Sequence, residues 1–354
     1  MSDPASVRRA RLRAQRLHPG HRAPAGVAGV VAAVTGLQAQ SWPAAQLAVR
    51  ARSDGLTAAD VDAARVADRS VVRAWFMRGT LHLVPAADVR WLLDLLAPVL
   101  VPGQARRRRQ LGIDGAAGDT GVRAILEALA AGPLTKAELT GAVLAAGVDV
   151  DPRGQAVPHL LWRAAVEGDP KLGRVCFGPD RGAKPSWVRL DDWVGPGIEP
   201  DGDPAAELAR RYLVGHAPAG PEDFASWSGL PMPVARAALA AAEPPGDPPV
   251  DGGPAGVRLL GAFDDWLLGW AGRGGIVGPG DERRVWPGGG ILRPVVLDDG
   301  RIVATWTLDR RRARTVARIS PFGTPSGPLP EGVEAEVADL GRFLGTEVGL
   351  ETER

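Results

Sequence analysis

A chain of 354 residues, 45% hydrophobic and 23% charged, with a formal net charge of +1, has the composition of a folded protein and the length of two or three modules. No apolar run approaches the roughly 20 residues needed to span a bilayer, so no membrane partner is expected. One cysteine, Cys176, excludes an internal disulfide and any multi-cysteine zinc site, and five scattered histidines show no pair at helical ligand spacing, so neither a metal nor another cofactor is expected.

The N-terminal stretch is basic but lacks the apolar region of a signal peptide, which predicts a cytoplasmic protein. Residues 5–16 read as a basic helix and 26–39 as an apolar one, and Pro43 opens another that runs to about residue 52. Thr57 caps a fourth, short helix. "SVVRAWFMRGTLHLVP" is rich in β-branched and aromatic residues, with Gly79 near its middle, and predicts two strands around a tight turn. On such a strand Arg78, Thr80 and His82 project to the same side, as the wall of a cleft or as the solvent face of an ordinary hairpin. Helices at about 86–97 and 98–111 follow.

The order then repeats. Residues 119–132 and 134–147 read as helices, the second with Thr135 and Glu138 in capping-box spacing; a third runs from about 153 to 167. "KLGRVCFGP" and "PSWVRL" then read as two strands around a Gly/Pro-rich loop, which completes the helix, helix, helix, hairpin order of a winged helix-turn-helix. A third copy is legible in "AAELARRYLVGHAPAGPEDFASWSGLPMPVARAALAAA", with a turn at Gly229. Beyond a Pro/Gly-rich linker at 243–256, residues 257–270, 291–308 and 313–322 read as strands, with Asp298-Asp299-Gly300 as a hairpin turn. A helix at about 331–345 closes the chain. The prediction is an α+β fold of three tandem winged-helix-like units, at 1–115, 116–200 and 201–354, the last with a β-rich portion. Such units bind nucleic acid or serve only in packing and protein contacts.

Only Lys136, Lys171 and Lys184 are lysines; the other basic residues are arginines, clustered at 8–22, 106–109 and 310–314. Arginine forks onto phosphates and guanine edges, although each cluster also reads as a solvated helix face. Gln38 and Gln40 stand at alternate positions in "VTGLQAQSWP", inside an otherwise apolar approach. By residue type they are a catalytic pair, or buried or capping glutamines beside the helix that Pro43 opens. A spacing of two is wrong for one helix face, so the side chains converge only if the backbone leaves the helix near Ala39.

"LQAQ", "WFMRGTLHLVP", "PEDFASWSGL", "FDDWLLGW" and "RPVVLDDGRIVATW", in that order, resemble the winged-helix superfamily of the bacterial DNA glycosylases AlkZ and YcaQ, over roughly residues 25–345. Gln40 in the second place of the motif resembles the AlkZ-like, Gln-x-Gln branch. The resemblance implies excision of bulky N7-alkylated purines and a partner in double-stranded DNA carrying N7-alkylguanine adducts. Gln38 and Gln40 would then jointly place the nucleophilic water, and Arg78, Thr80 and His82 would face the same cleft. Trp42 would stack on sugar or base, or else belong to the core. Asp264 and Trp266 fall in a segment where family members have a Phe-Asp-(Pro)-Tyr-like run, and would contact substrate. With no lysine near the motif in sequence, a monofunctional enzyme that leaves an abasic site is expected. An adduct as large as a crosslink predicts an open cleft rather than a snug pocket, served by a monomer. A non-enzymatic winged-helix regulator is the rival reading.

Overall fold

Prolines and glycines set several of the element boundaries of this α+β chain. The computed structural model describes residues 3–23, 26–242, 253–272, 274–311, 314–323 and 329–353. The backbone divides into one unit of Met1–Asp62, Ala206–Trp227 and Met232–Arg354, and a second of Ala63–Ala205 and Ser228–Pro231. Residues 1–115 therefore do not pack as one body. The first 62 residues fold with the C-terminal part, because buried side chains from helix Trp42–Arg52 find their partners there.

In the first unit, helix Pro4–Ala14 begins at Asp3, whose carboxylate accepts the Ala5 N–H. Helix Val27–Ala33 ends six residues before the predicted end at 39, since the chain turns left-handed at Thr35 and Gly36 and is then extended at Leu37–Gln38. Helix Trp42–Arg52 follows, with a proline in its first turn as predicted. Helices Pro204–His216, Pro221–Ser228 and Met232–Ala241 come next.

The five-stranded sheet of this unit runs in the order Val348–Thr352, Arg314–Pro321, Arg301–Arg311, Val295–Asp298, Val257–Leu260. Asp298 pairs with Arg301 across the predicted turn, where Asp299 and Gly300 are both left-handed. The strand predicted over 257–270 stops at Leu260: Asp264 caps a helical turn, Asp265–Leu268, by accepting the Trp266 N–H at 2.9 Å. Helix Val333–Leu344 packs on this sheet, and the final strand lies parallel to Arg314–Pro321 and was not foreseen. Leu12, Leu17, Trp266, Trp270, Val295 and Ile302 belong to its core. The predicted linker at 243–256 lies mostly outside the described residues.

In the second unit, Val71–Trp75 and Leu81–Pro85 pair antiparallel, from Val71 opposite Pro85 to Trp75 opposite Leu81. The two helices predicted at 86–97 and 98–111 divide instead at Gln104: Val89–Gly103 continues through Pro98 and Pro102 before Ala105–Gln110. Then come helix Gly115–Ala128, a short strand Leu134–Thr135, helix Lys136–Ala145 with its Thr135/Glu138 capping box, helix Ala156–Val166, and strands Val175–Phe177 and Ser186–Arg189. The sheet order is Leu134–Thr135, Ser186–Arg189, Val175–Phe177. Among the described residues no helix is long and apolar enough to cross a membrane.

Candidate active site

The glutamine pair sits where helix Val27–Ala33 gives way to extended chain. The Gly36 N–H reaches back to the Val31 carbonyl at 2.9 Å and the Thr35 N–H to the Ala32 carbonyl at 3.1 Å, the two closing bonds of a Schellman motif. The left-handed position that glycine normally fills is held by Thr35, at φ 63°, with Gly36 following at φ 104°. A β-branched residue there costs about 1–2 kcal/mol. A Cβ on Gly215, in helix Pro204–His216, would lie 2.9 Å from the Val34 Cα, so that helix presses directly on this exit. Beyond it the chain is extended, and alternate side chains share a side. Ala39 is fully buried, Gln38 is 8% exposed and Gln40 is open to solvent. The helix thus ends at Ala33, well before Ala39; Gln38 ends the short strand and is buried, whereas Gln40 lies at a bend and is exposed. Trp42 is half-buried and its indole N–H donates to Asp62 Oδ1 at 2.8 Å, which fixes the ring beside the motif.

The hairpin forms as predicted, but its polar residues do not share a strand face. Arg78 is in the turn, at φ 58° and ψ 11°, followed by Gly79 at φ 69°. Thr80, half-buried, donates its hydroxyl to the Met77 carbonyl at 3.1 Å. His82 is fully buried, so it is not part of an exposed ribbon. Its Nδ1 lies 3.0 Å from the Thr80 carbonyl, which can only accept, so Nδ1 carries the proton of a neutral ring. Burial, reinforced by the Arg78 guanidinium, pushes the His82 pKa down to about 3, against the pull of the Thr80 carbonyl. An unfolded chain protonates this ring near pH 6.5, whereas the folded one stays neutral until about pH 3. Each pH unit of acidification between those limits therefore removes about 1.4 kcal/mol of stability. The melting temperature is expected to fall between pH 6.5 and 4.5 more steeply for the parent than for His82→Asn; parallel slopes would clear His82 of responsibility.

Asp264 and Trp266 require correction: both are buried, at 2% and 1% exposure, and neither presents a surface to substrate. Arg52 donates to both Asp264 carboxylate oxygens at 2.7 and 2.8 Å, and to Gln15 Oε1 at 2.7 Å; Gln15 in turn donates to the Gly215 carbonyl at 2.7 Å. Burial pulls the Arg52 pKa down, but the attraction and hydrogen bonds of Asp264 outweigh it and leave it raised. Trp266 packs edge-on against Trp270. Arg50, also buried, binds Glu336 at 2.9 Å and Asp339 at 2.7 Å. Both arginines lie in the last turn of helix Trp42–Arg52, where the helix dipole favours cations. Sequence reading missed Gln15, Arg50 and Arg52. The available signal was a pair of arginines at alternate positions in an otherwise apolar helix end.

A cavity of about 500 Å³ in the second unit is lined by Arg90, Arg123, Arg163 and Arg174 with Asp119, Glu167, Asp169 and Asp191, and by none of the predicted site residues. Arg90 and Arg163 are already paired, each with an acid at 2.6 Å. Among the described residues no three His, Cys, Asp or Glu side chains are grouped to hold a metal ion.

Three comparisons with known proteins agree on the family. A curated interstrand DNA cross-link repair glycosylase of Streptomyces sahachiroi is 28% identical over 369 residues, covering 95% of each chain. The solved structure of the Streptomyces sahachiroi DNA glycosylase AlkZ matches with a TM-score of 0.75 at 26% identity, covering 99% of this chain and 100% of that one. The profile of the family described as DNA glycosylase AlkZ-like matches residues 31–343, the Gln-x-Gln segment included, and the chain belongs to that family.

Proposed function

We propose that the protein is a monofunctional DNA glycosylase that hydrolyses the N-glycosidic bond of N7-alkylated guanine in double-stranded DNA, bulky and crosslinked adducts included, and leaves an abasic site. The observation that carries this reading is the Gln38/Gln40 pair just beyond a helix exit, Gln38 on a short strand and Gln40 at an exposed bend, where hydrolases of uncharged substrates need carboxylates. A guanine alkylated at N7 is already cationic. Water attacks C1′, the C1′–N9 electrons pass to the base, which leaves neutral, and the proton of the water goes to solvent. No acid need protonate the leaving group, and a buried, neutral His82 is consistent with that economy. What remains is placement of the water, for which an amide supplies one carbonyl acceptor and two N–H donors.

A Schiff-base lyase needs a lysine at the sugar. All three lysines are exposed, and none lies near the glutamines in sequence. The strand and helix order of residues 115–189 favours a winged-helix unit, but its third helix has eight of eleven residues buried, packing on Val89–Gly103. That helix is scaffold, and backbone phosphates are contacted elsewhere, by exposed arginines such as Arg106, Arg107 and Arg109 or Arg310 and Arg314. The protein acts as a monomer in the cytoplasm on an open, solvent-connected cleft. Incubation with duplex DNA containing N7-methylguanine, then alkali, tests the proposal: strand cleavage at the lesion supports it, and intact strands with retained DNA binding favour the regulator.

Arg78 offers a separate check. A left-handed turn position is cheap for asparagine and costly for arginine. Arg78→Asn is expected to raise the melting temperature by about 1–3 °C while weakening DNA binding and flattening its salt dependence by about one ion. A variant that binds DNA as the parent does would remove Arg78 from the interface.

A further inference from the structure

Arg69 stands just past the end of helix Ala58–Val66, left-handed at φ 51° and exposed to solvent. Its neighbour fixes it there: the Ser70 N–H returns to the Ala64 carbonyl at 2.9 Å, and the Ser70 carbonyl accepts the Ala86 N–H at 2.9 Å. Glycine or asparagine would adopt this backbone at lower cost. No ion pair or hydrogen bond among the described residues compensates the arginine side chain; its guanidinium lies over the Trp193 ring, 4.1 Å from the centroid. Trp193 is 8% exposed and so forms a fixed platform. Stacking of this kind uses the face of a guanidinium and leaves its edge N–H donors free. Arg69 and Trp193 border a cavity of about 350 Å³ in the second unit. Arg189 borders it too, with Asp192 Oδ2 at 3.5 Å from its Nε. Two arginines against one aspartate leave the lining with a net charge of +1. The rest of the wall is apolar, with Pro133 exposed at the rim, and a Cβ on Gly132 would meet nothing within 4 Å, so the approach is open.

We propose that this cavity is a subsite for a backbone phosphodiester of DNA, in which Arg69 and Arg189 take the phosphate oxygens and the apolar wall takes the deoxyribose carbons. The assignment rests on the DNA-binding part of the reading above and not on its chemistry. Planar guanidinium forks match the oxygens of a phosphate. A free phosphate would leave the apolar wall uncovered, whereas one nucleotide unit carries both an anion and a ring of C–H groups. The strained backbone of Arg69 then has a use, since it holds a cation at the mouth of the cavity where a relaxed glycine would offer none. The subsite also gives the second unit a hold on DNA that does not require helix Ala156–Val166, which is buried as scaffold.

The test compares Arg69→Asn, Arg69→Lys and the double variant Arg69→Asn with Arg189→Gln against the parent. Duplex affinity is read by fluorescence anisotropy across a salt series, together with melting temperature and single-turnover release of N7-methylguanine at saturating enzyme. Arg69→Asn relieves the backbone and deletes the cation. It is expected to melt at or above the parent, to bind duplex about fivefold more weakly at about 0.1 M salt, and to lose about one from the slope of log affinity against log salt. The double variant is expected to lose about two from that slope, and Arg69→Lys to keep the parent slope with part of the affinity. Release at saturating enzyme is expected to stay within about twofold, because the subsite acts on binding. Inorganic phosphate and an oligoglutamate peptide are titrated in parallel by calorimetry. Parent-like duplex affinity and slope in Arg69→Asn and the double variant overturn the assignment, as does a weakening that only follows a fall in melting temperature. Loss of phosphate or peptide binding with duplex affinity unchanged also overturns it, in favour of a free anion or an acidic protein. A parent that binds duplex and releases no base overturns the glycosylase reading alone, because the subsite is scored by binding.

Discussion

Gln38→Ala is expected to release cationic purines at least about a hundredfold more slowly than the parent while binding the same duplex with little change. The size follows from the work assigned to the side chain: it holds a neutral nucleophile in line with C1′, and a misplacement of about 1 Å costs on the order of 100-fold. Nothing charged is lost, so attraction for the phosphates stays as it was. Gln38, at 8% exposure, has few rotamers open to it, whereas Gln40 is exposed. Gln40→Ala is therefore expected to lose less, about tenfold, with the double variant near the Gln38 level because one water serves both. Rates are read under single turnover, so that slow product release does not mask the chemical step. Unchanged release by Gln38→Ala would leave the pair as buried and capping amides and remove the basis of the mechanism.

Much of this architecture was legible because local rules governed it. Pro43 placed the start of helix Trp42–Arg52, Thr135 and Glu138 placed that of Lys136–Ala145, and Asp299-Gly300 turned the chain between two strands. The errors arose where a tertiary partner overrode a local pattern. Apolar residues 34–39 continue a helical stripe, yet Gly36 and the pressure of Gly215 end the helix at Ala33. Residues 261–270 alternate like a strand, but the Asp264 carboxylate finds Arg52, more than 200 positions away, and caps a turn instead. His82 reads as the polar side of a ribbon and is in fact enclosed, its neutral ring bonded through Nδ1 to the Thr80 carbonyl. Of the candidate site, the glutamines and Trp42 were visible as types at a spacing. The supports beneath them were not, since Gln15, Arg52 and Asp264 meet only after folding.

Asp264→Ala is expected to lower the melting temperature of the first unit by about 10 °C, the largest stability effect of any single change considered. Arg52 is fully buried and Asp264 is 2% exposed, with two N–H to oxygen contacts of 2.7 and 2.8 Å between them. Deleting the carboxylate strands a guanidinium in the interior, and breaking a buried pair from one side costs about 3–5 kcal/mol. At about 2–4 °C per kcal/mol for a body of this size, that figure gives the expected shift. The lost N-cap to Trp266 adds to it. Replacing both partners, as Arg52→Met with Asp264→Leu, leaves no buried charge and should recover most of the loss, so the single changes will be strongly non-additive. DNA affinity measured well below the melting transition should be unchanged in Asp264→Ala, because the carboxylate faces Arg52 and not the solvent. If instead the variant melts like the parent and binds DNA poorly, Asp264 belongs to the DNA-contacting surface and the buried frame assigned to it is wrong.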